Sequence, residues 1–259
     1  MDPQIEEQAK AILDKDTKVV PDFTRSKLLH ETARNWDLFY KRNTTHFFKD
    51  RHWTDREFEE LRPAGGEPCS KKLLEIGCGV GNFVFPLLEL NPELFIYACD
   101  FSKRAVDFVQ ADPRYTECRS KAFVCDLTKD PLTENVPPES LDLISAIFML
   151  SAVPPSKMPH AIQNMRSALK PGGVVLFRDY GLYDAAQLRF KPGAKIEDQF
   201  YVRQDGTFAY YFSTEQLAQL FTDAGFEVLD NEYVCKEVVN RKRELNMQRI
   251  FVQARFRKV

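Results

Sequence analysis

The sequence contains no C-x-x-C pair: its six cysteines, Cys69, Cys78, Cys99, Cys118, Cys125 and Cys235, stand apart. Structural zinc sites rest on such pairs, and the four histidines, His30, His46, His52 and His160, are too scattered to replace them. No metal is therefore expected. Four of the thiols lie in or beside apolar runs, so they read as reduced and mostly buried. That suits a cytoplasmic chain, with the nucleus as a further compartment. No apolar run approaches the ~20 residues that span a bilayer, and no membrane partner is expected. Met1 to Lys10 carries Asp2, Glu6 and Glu7 but neither the apolar stretch of a signal peptide nor the arginines of a transit peptide. Charge of one sign is also lacking. Lys and Arg number 36 against 38 Asp and Glu, a net charge of −2, which excludes a uniformly basic nucleic-acid binder.

What is present suits a folded domain: 259 residues, 44% hydrophobic and 29% charged. Averages hide local fields, however. Residues 236–259 hold Lys236, Arg241, Lys242, Arg243, Arg249, Arg255, Arg257 and Lys258 against only Glu237 and Glu244. The run from Lys41 to Trp53 interleaves Lys49 and Arg51 with Phe47 and Phe48. Either run alone reads as a solvated face. Two at opposite ends of one chain predict a phosphate-binding surface.

Along the chain, residues 1–68 form a polar extension with helical pieces, closed by the breaker run Arg62 to Pro68. From residue 69 to 259 strands and helices alternate. Strands are predicted at Leu73–Ile76, Phe95–Cys99, Lys121–Cys125, Leu141–Phe148 and Val174–Phe177. Helices are predicted from Asn82 to Leu90, from the N-cap Ser102 to Gln110, and from Lys157 to Leu169, with a turn at Lys170–Gly173 before the fifth strand. A polar, aromatic-rich insertion at 181–212 interrupts the rhythm. A helix from Thr214 to Ala224 and strands at Glu227–Val234 and Arg249–Phe256 complete it. The pattern predicts an α/β fold, a seven-stranded and mostly parallel sheet with helices on both faces.

Between the first strand and its helix stands Glu75-Ile76-Gly77-Cys78-Gly79-Val80-Gly81-Asn82. Gly77, Gly79 and Gly81 allow a tight turn and close approach to a ligand. The spacing is G-x-G-x-G, not the G-x-G-x-x-G that cradles a pyrophosphate, which disfavours a dinucleotide oxidoreductase. Glu75 suits a cationic amino-acid end better than a diphosphate. Asp100, before Phe101 and Ser102, ends the second strand and is placed to accept both hydroxyls of a ribose. Asp126 ends the third, placed for an adenine amino group, with Leu127 to pack on the ring. Each Asp alone is more often a turn residue or cap. Acids at three successive strand ends beside a glycine loop exceed that reading.

These residues resemble the class I methyltransferases, which have a Rossmann-like fold and use S-adenosyl-L-methionine. More narrowly, Asn35 to Asn43, His46 to Trp53, Phe177 to Asp184 and Phe200 to Thr207 resemble the eukaryotic tRNA 3-methylcytidine methyltransferases. The resemblance runs from about residue 22 to 258. It implies methylation of cytidine 32 in the anticodon loop of serine, threonine or arginine tRNA, and it brings in a seryl-tRNA synthetase as a partner to consider. The N-terminal extension is implied in RNA binding. Trp36 and Tyr40 are implied to close over the cofactor, which Gly77, Asp100, Asp126, Leu127 and Ile147 contact.

Cytosine N3 has a free lone pair, so methylation there needs in-line placement and relief of the positive charge that forms, not deprotonation. Asp179, at the tip of the fifth strand, is the expected carboxylate, with Tyr180 beside it; a salt bridge to Arg178 or a turn role beside Gly181 is the plain alternative. The base must be unstacked, and Tyr180, Tyr183, Phe200, Tyr201 and Phe47 are candidates to hold it, though core packing is the commoner fate of each. Arg203, Lys49 and Arg51 are expected on phosphate or base, joined by Arg241 and Arg243 of the C-terminal run, and 181–212 would be a substrate lid. Two rivals are weighed: a small-molecule methyltransferase, and a non-catalytic RNA-binding adaptor of the same fold.

Overall fold

The protein is described here by a computed structural model covering residues 3–240 and 245–259. Runs of apolar residues build its centre. Strands β1 (Lys71–Ile76), β2 (Leu94–Asp100), β3 (Ser120–Val124), β4 (Leu141–Ile147) and β5 (Leu169–Tyr180) are parallel neighbours in the order 3-2-1-4-5. β10 (Leu245–Lys258) pairs antiparallel with β5, and β9 (Phe226–Asn240) pairs antiparallel with β10 at the edge. Hence β10 alone runs against the other six strands of the seven-stranded sheet. β4 is buried almost throughout, as a strand covered on both faces must be.

Side chains alternate across the sheet, so β5 sends Phe177 into one apolar cluster and Leu176 into the other. Helices α5 (Val84–Leu90) and α6 (Lys103–Ala111) feed one of these clusters, while α7 (Met158–Ala168) and α8 (Thr214–Asp223) feed the other. On the second face, Phe221 stacks on Phe256 with ring centroids 3.8 Å apart. The Ser102 hydroxyl caps α6 by accepting from the Ala105 N–H at 3.3 Å, as its sequence position implied.

Three elements depart from the sequence reading. Lys170–Gly173 lies inside β5, not in a turn before it. α5 starts at Val84 because Gly81 is still in the left-handed region at φ +88°, where a Cβ would stand 2.3 Å from the Phe85 ring. β9 and β10 are longer at both ends and form one long hairpin whose β5 partners reach only from Phe251 to Arg257. Polar residues on both faces of its outer part erase the alternation by which a strand is recognised.

The extension and the insertion are also less separate than expected. Helices α1 (Pro3–Leu13), α2 (Asp22–His30), α3 (Thr32–Asn43) and α4 (Thr54–Glu57) make up the extension. The insertion folds as a small sheet of β6 (Lys195–Glu197), β7 (Phe200–Val202) and β8 (Phe208–Tyr210). Val19 bridges to Lys195, and Val20 shares an apolar cluster with Ile196, Phe200 and Phe208, against which Leu28 and Leu29 pack. Arg25 pairs with Glu197 at 3.0 Å, and the Asn35 amide donates to Gly206 O at 3.1 Å. Of the cysteines, Cys78, Cys99 and Cys125 are buried, whereas Cys118 and Cys235 are exposed. Among the described residues, no helix is long and apolar enough to cross a membrane.

Candidate active site

The glycine loop after β1 turns through Gly77 at φ +69°, Gly79 and Gly81. A Cβ at Gly77 would lie 2.5 Å from the Met149 side chain, so the loop can pass the β4 tip only as glycine. Asp100 ties this loop to the next strand. One carboxylate oxygen accepts from the Gly79 N–H at 3.0 Å and the other from the Ser102 N–H at 2.9 Å. Burial pushes the Asp100 pKa up to about 6, with the backbone donors pulling the other way. Asp126, past β3, accepts from the Thr128 N–H and hydroxyl and pairs with Lys129 at 2.8 Å. Burial raises its pKa, but the hydrogen bonds from Lys129 and Thr128 outweigh it and hold it below the ordinary value.

These strand ends surround a cleft, the place where ligands bind in sheets of this kind. The loop and tips form its floor through Gly77, Asp100, Asp126 and Leu127, and α3 roofs it with Trp36 and Tyr40. The Trp36 Nε1–H is buried without a partner, and so is Glu75 Oε2, beneath the loop. An orphaned donor and an orphaned acid call for a ligand that offers both an acceptor and a positive charge. Phe148, Met149 and Val153 close the remaining side.

Beyond that wall lies a second surface. The Phe148 ring packs 5.3 Å from Tyr180, and the Arg203 guanidinium sits 5.4 Å from the Tyr180 ring centroid. Arg203 also lines an open basin with Arg42, Arg189 and Lys191, opposed by Asp205. Phe148 holds its position at φ +56°, a left-handed conformation rare for a bulky residue and found most often at functional sites.

The sequence profile of a family described as a methyltransferase domain matches residues 40–231. The human tRNA N(3)-cytidine methyltransferase METTL6 is 56% identical over 254 residues, covering 98% of this chain and 89% of its own. The tRNA N(3)-methylcytidine methyltransferase trm141 of Schizosaccharomyces pombe is 46% identical, covering 92% of this chain and 97% of its own. The chain belongs to the tRNA N(3)-cytidine methyltransferase family. Solved structures share the fold: an S-adenosylmethionine-dependent methyltransferase of Anabaena variabilis superposes with a TM-score of 0.62 at 14% identity, covering 88% of this chain and 95% of that one.

Against that family, the residues singled out from sequence fall into two groups. Gly77, Asp100, Phe101, Asp126, Leu127, Trp36 and Tyr40 converge on one cleft, while Gly79 lies beside the Tyr40 hydroxyl and Gly81 beside the Phe85 ring. Ile147 is buried in the core below it, and Ser102 serves as the cap of α6 and donates to Asp37 at 3.1 Å. The Asn82 side chain turns away and donates to Asp50 at 2.9 Å.

On the acceptor side several expectations need correction. Asp179 is fully buried, and its two oxygens accept from the Ser151 and Tyr180 N–H groups. It braces the β5 tip through both oxygens. Phe200 and Tyr201 are 1% and 2% exposed, so they pack the insertion and have no free face for stacking. Arg51 points inward, donating to Ile147 O at 3.2 Å. Tyr183, half-buried at φ +67°, lies in the field of Glu6 and Asp14 of the extension. Phe47 and Lys49 are exposed, as a ligand surface needs. The basic C-terminal run is largely spent within the protein: Arg249 pairs with Asp184, Arg255 with Asp230 and Glu60, Arg257 with Glu227, and Lys258 with Glu139. Arg241 and Arg243 lie outside the described residues. Sequence reasoning missed Phe148 and the basin cations Arg42, Arg189 and Lys191. A backbone sign and a surface assembled from distant segments leave no local trace.

Proposed function

We propose that the protein transfers a methyl group from S-adenosyl-L-methionine to N3 of a cytidine in tRNA, at position 32 of the anticodon loop. The observation that carries this reading is an aromatic link: Phe148 lines the cleft and packs against Tyr180, whose ring lies beside Arg203 of the cationic basin. When bound, S-adenosylmethionine supplies a sulfonium-activated methyl group. Asp100 and Asp126 are placed to hold its ribose and adenine, and Trp36 and Tyr40 to exclude water above it. On the other side, Tyr180 and Arg203 hold an unstacked pyrimidine against the wall. Placement does most of the work, because N3 needs no base to release its lone pair. Asp179 contributes by fixing the Tyr180 backbone, a positioning role instead of direct contact. Arg42, Arg189 and Lys191, with Lys49 and Phe47 across the extension, suit flanking phosphates and bases of a single-stranded loop.

The resemblance to the family supports serine, threonine or arginine tRNAs as substrates, a seryl-tRNA synthetase as a partner, and action in the cytoplasm. Arg203→Ala tests the acceptor side. Methylation of a tRNA transcript should fall roughly tenfold to a hundredfold, while S-adenosylhomocysteine affinity stays within about twofold. A transcript carrying U at position 32 should not be methylated. Undiminished methylation by the variant would remove Arg203 from the site, and methylation of the U32 transcript would remove the positional claim.

A further inference from the structure

Arg51 belongs to the segment that the sequence assigned to RNA, yet its side chain enters the methyl-donor side. Its backbone N–H donates to Asn82 O at 2.7 Å, tying this segment to the end of the glycine loop. One guanidinium nitrogen donates to Ile147 O at 3.2 Å and stands 3.8 Å from Glu75 Oε1. The guanidinium carbon lies 5.6 Å from the centroid of the Phe148 ring. Glu75 is 2% exposed and its other oxygen has no partner. A buried carboxylate with one satisfied and one orphaned oxygen is set to receive a cation.

We propose that Arg51 is a positioning residue for the methyl donor: it faces the buried Glu75 carboxyl and favours its ionisation when the donor's ammonium group arrives, and so links the RNA-facing extension to the cofactor site. The inference rests on the methyltransferase reading above. Its electrostatic basis is specific. Burial pushes the Glu75 pKa up to about 8; Arg51 pulls it down, and Asp100 pushes it further up. Tyr40 and Cys78, from the roof and the loop, also lie in its field, and both are neutral at pH 7 because burial raises their pKa values. Arg51 is thus the cation that counters burial at Glu75 among the groups packed around it. In the empty protein near pH 7 the Glu75 carboxyl holds its proton most of the time, and it loses that proton when an ammonium group arrives. Donor binding therefore releases a proton. Without Arg51 the carboxyl stays protonated, and the ammonium meets a neutral group. Any contact that draws Lys49 and its neighbours onto RNA also steadies Arg51, so tRNA and donor binding become coupled by linkage.

Calorimetry with S-adenosylhomocysteine at pH 7, run in buffers of different ionisation enthalpy, reads both affinity and proton release. Wild-type protein should release close to one proton. Arg51→Gln should weaken binding about tenfold or more and release less than half as much; Arg51→Lys should restore most of both. Glu75→Gln should abolish the release, and adding Arg51→Gln to it should cost little more. A tRNA transcript should tighten binding to wild type but not to Arg51→Gln. Thermal unfolding identifies any variant that fails to fold, in which case Arg51→Lys and the double variant decide. Unchanged affinity and unchanged proton release in folded Arg51→Gln would overturn the proposal. No binding by wild type would instead overturn the donor reading itself.

Discussion

The two sides of the aromatic wall are built differently. On the donor side, backbone N–H groups and carboxylates within a few residues of the strand tips fix one another, as Asp100 does with Gly79 and Ser102. On the acceptor side, Tyr180 of β5, Arg203 of the insertion and Arg249 of β10 meet around one ring, with Asp184 bracing Arg249 from beneath. The first kind of site needs a short motif and a strand; the second needs the whole fold. A donor site can therefore be shared by a wide class of proteins, while the acceptor surface carries what distinguishes one family from another.

The comparison can be broken most severely in the insertion. If Phe200 is core, Phe200→Ala should cost about 3–5 kcal/mol, lowering the melting temperature by roughly 6–20 °C. Loss of tRNA affinity at an unchanged melting temperature would return Phe200 to base stacking. Next in size, Asp100→Ala should weaken S-adenosylhomocysteine binding about a hundredfold, since it removes a ligand acceptor and unties the loop; tRNA affinity by gel shift should hold within about threefold. Equal loss of both would show that the two sides are not separable.

The smallest effect concerns pH. The pKa values of Glu75, Asp100 and Asp179 are raised by burial from ordinary values of 4.5, 3.8 and 3.8 to about 8, 6 and 6. For a carboxyl raised on folding, the folded state binds the proton more tightly. Its stabilisation is present below the unfolded pKa and is lost as pH rises through the folded one. The ligand-free protein should therefore melt several degrees higher near pH 5 than at pH 8, and a donor analogue should flatten that slope. A ligand-free melting temperature that rises across this window would show that these acids are not the dominant titrating groups.

Legibility followed the same division. Gly77, Asp100 and Asp126, which line one cleft, were singled out because each stands where an apolar run ends, and that signal is local. Asp179 stands at such an end too, yet its oxygens accept from the Ser151 and Tyr180 N–H groups: position at a strand tip does not say whether the oxygens face a cavity or a neighbouring backbone N–H. The C-terminal cations misled for a related reason. Composition counts Arg255 and Arg257 as surface charge, but Asp230 and Glu227, which neutralise them, stand on the adjoining strand.

By itself the sequence determined the parallel sheet, the glycine turn and the acids at the strand tips, because these depend on hydrophobic period and on residues within one turn of chain. Only the tertiary structure decided which aromatics are buried, which cations are free and which way Arg51 points. Those depend on contacts between separate segments of the chain, such as Arg51 and Ile147, 96 residues apart, which no local pattern encodes.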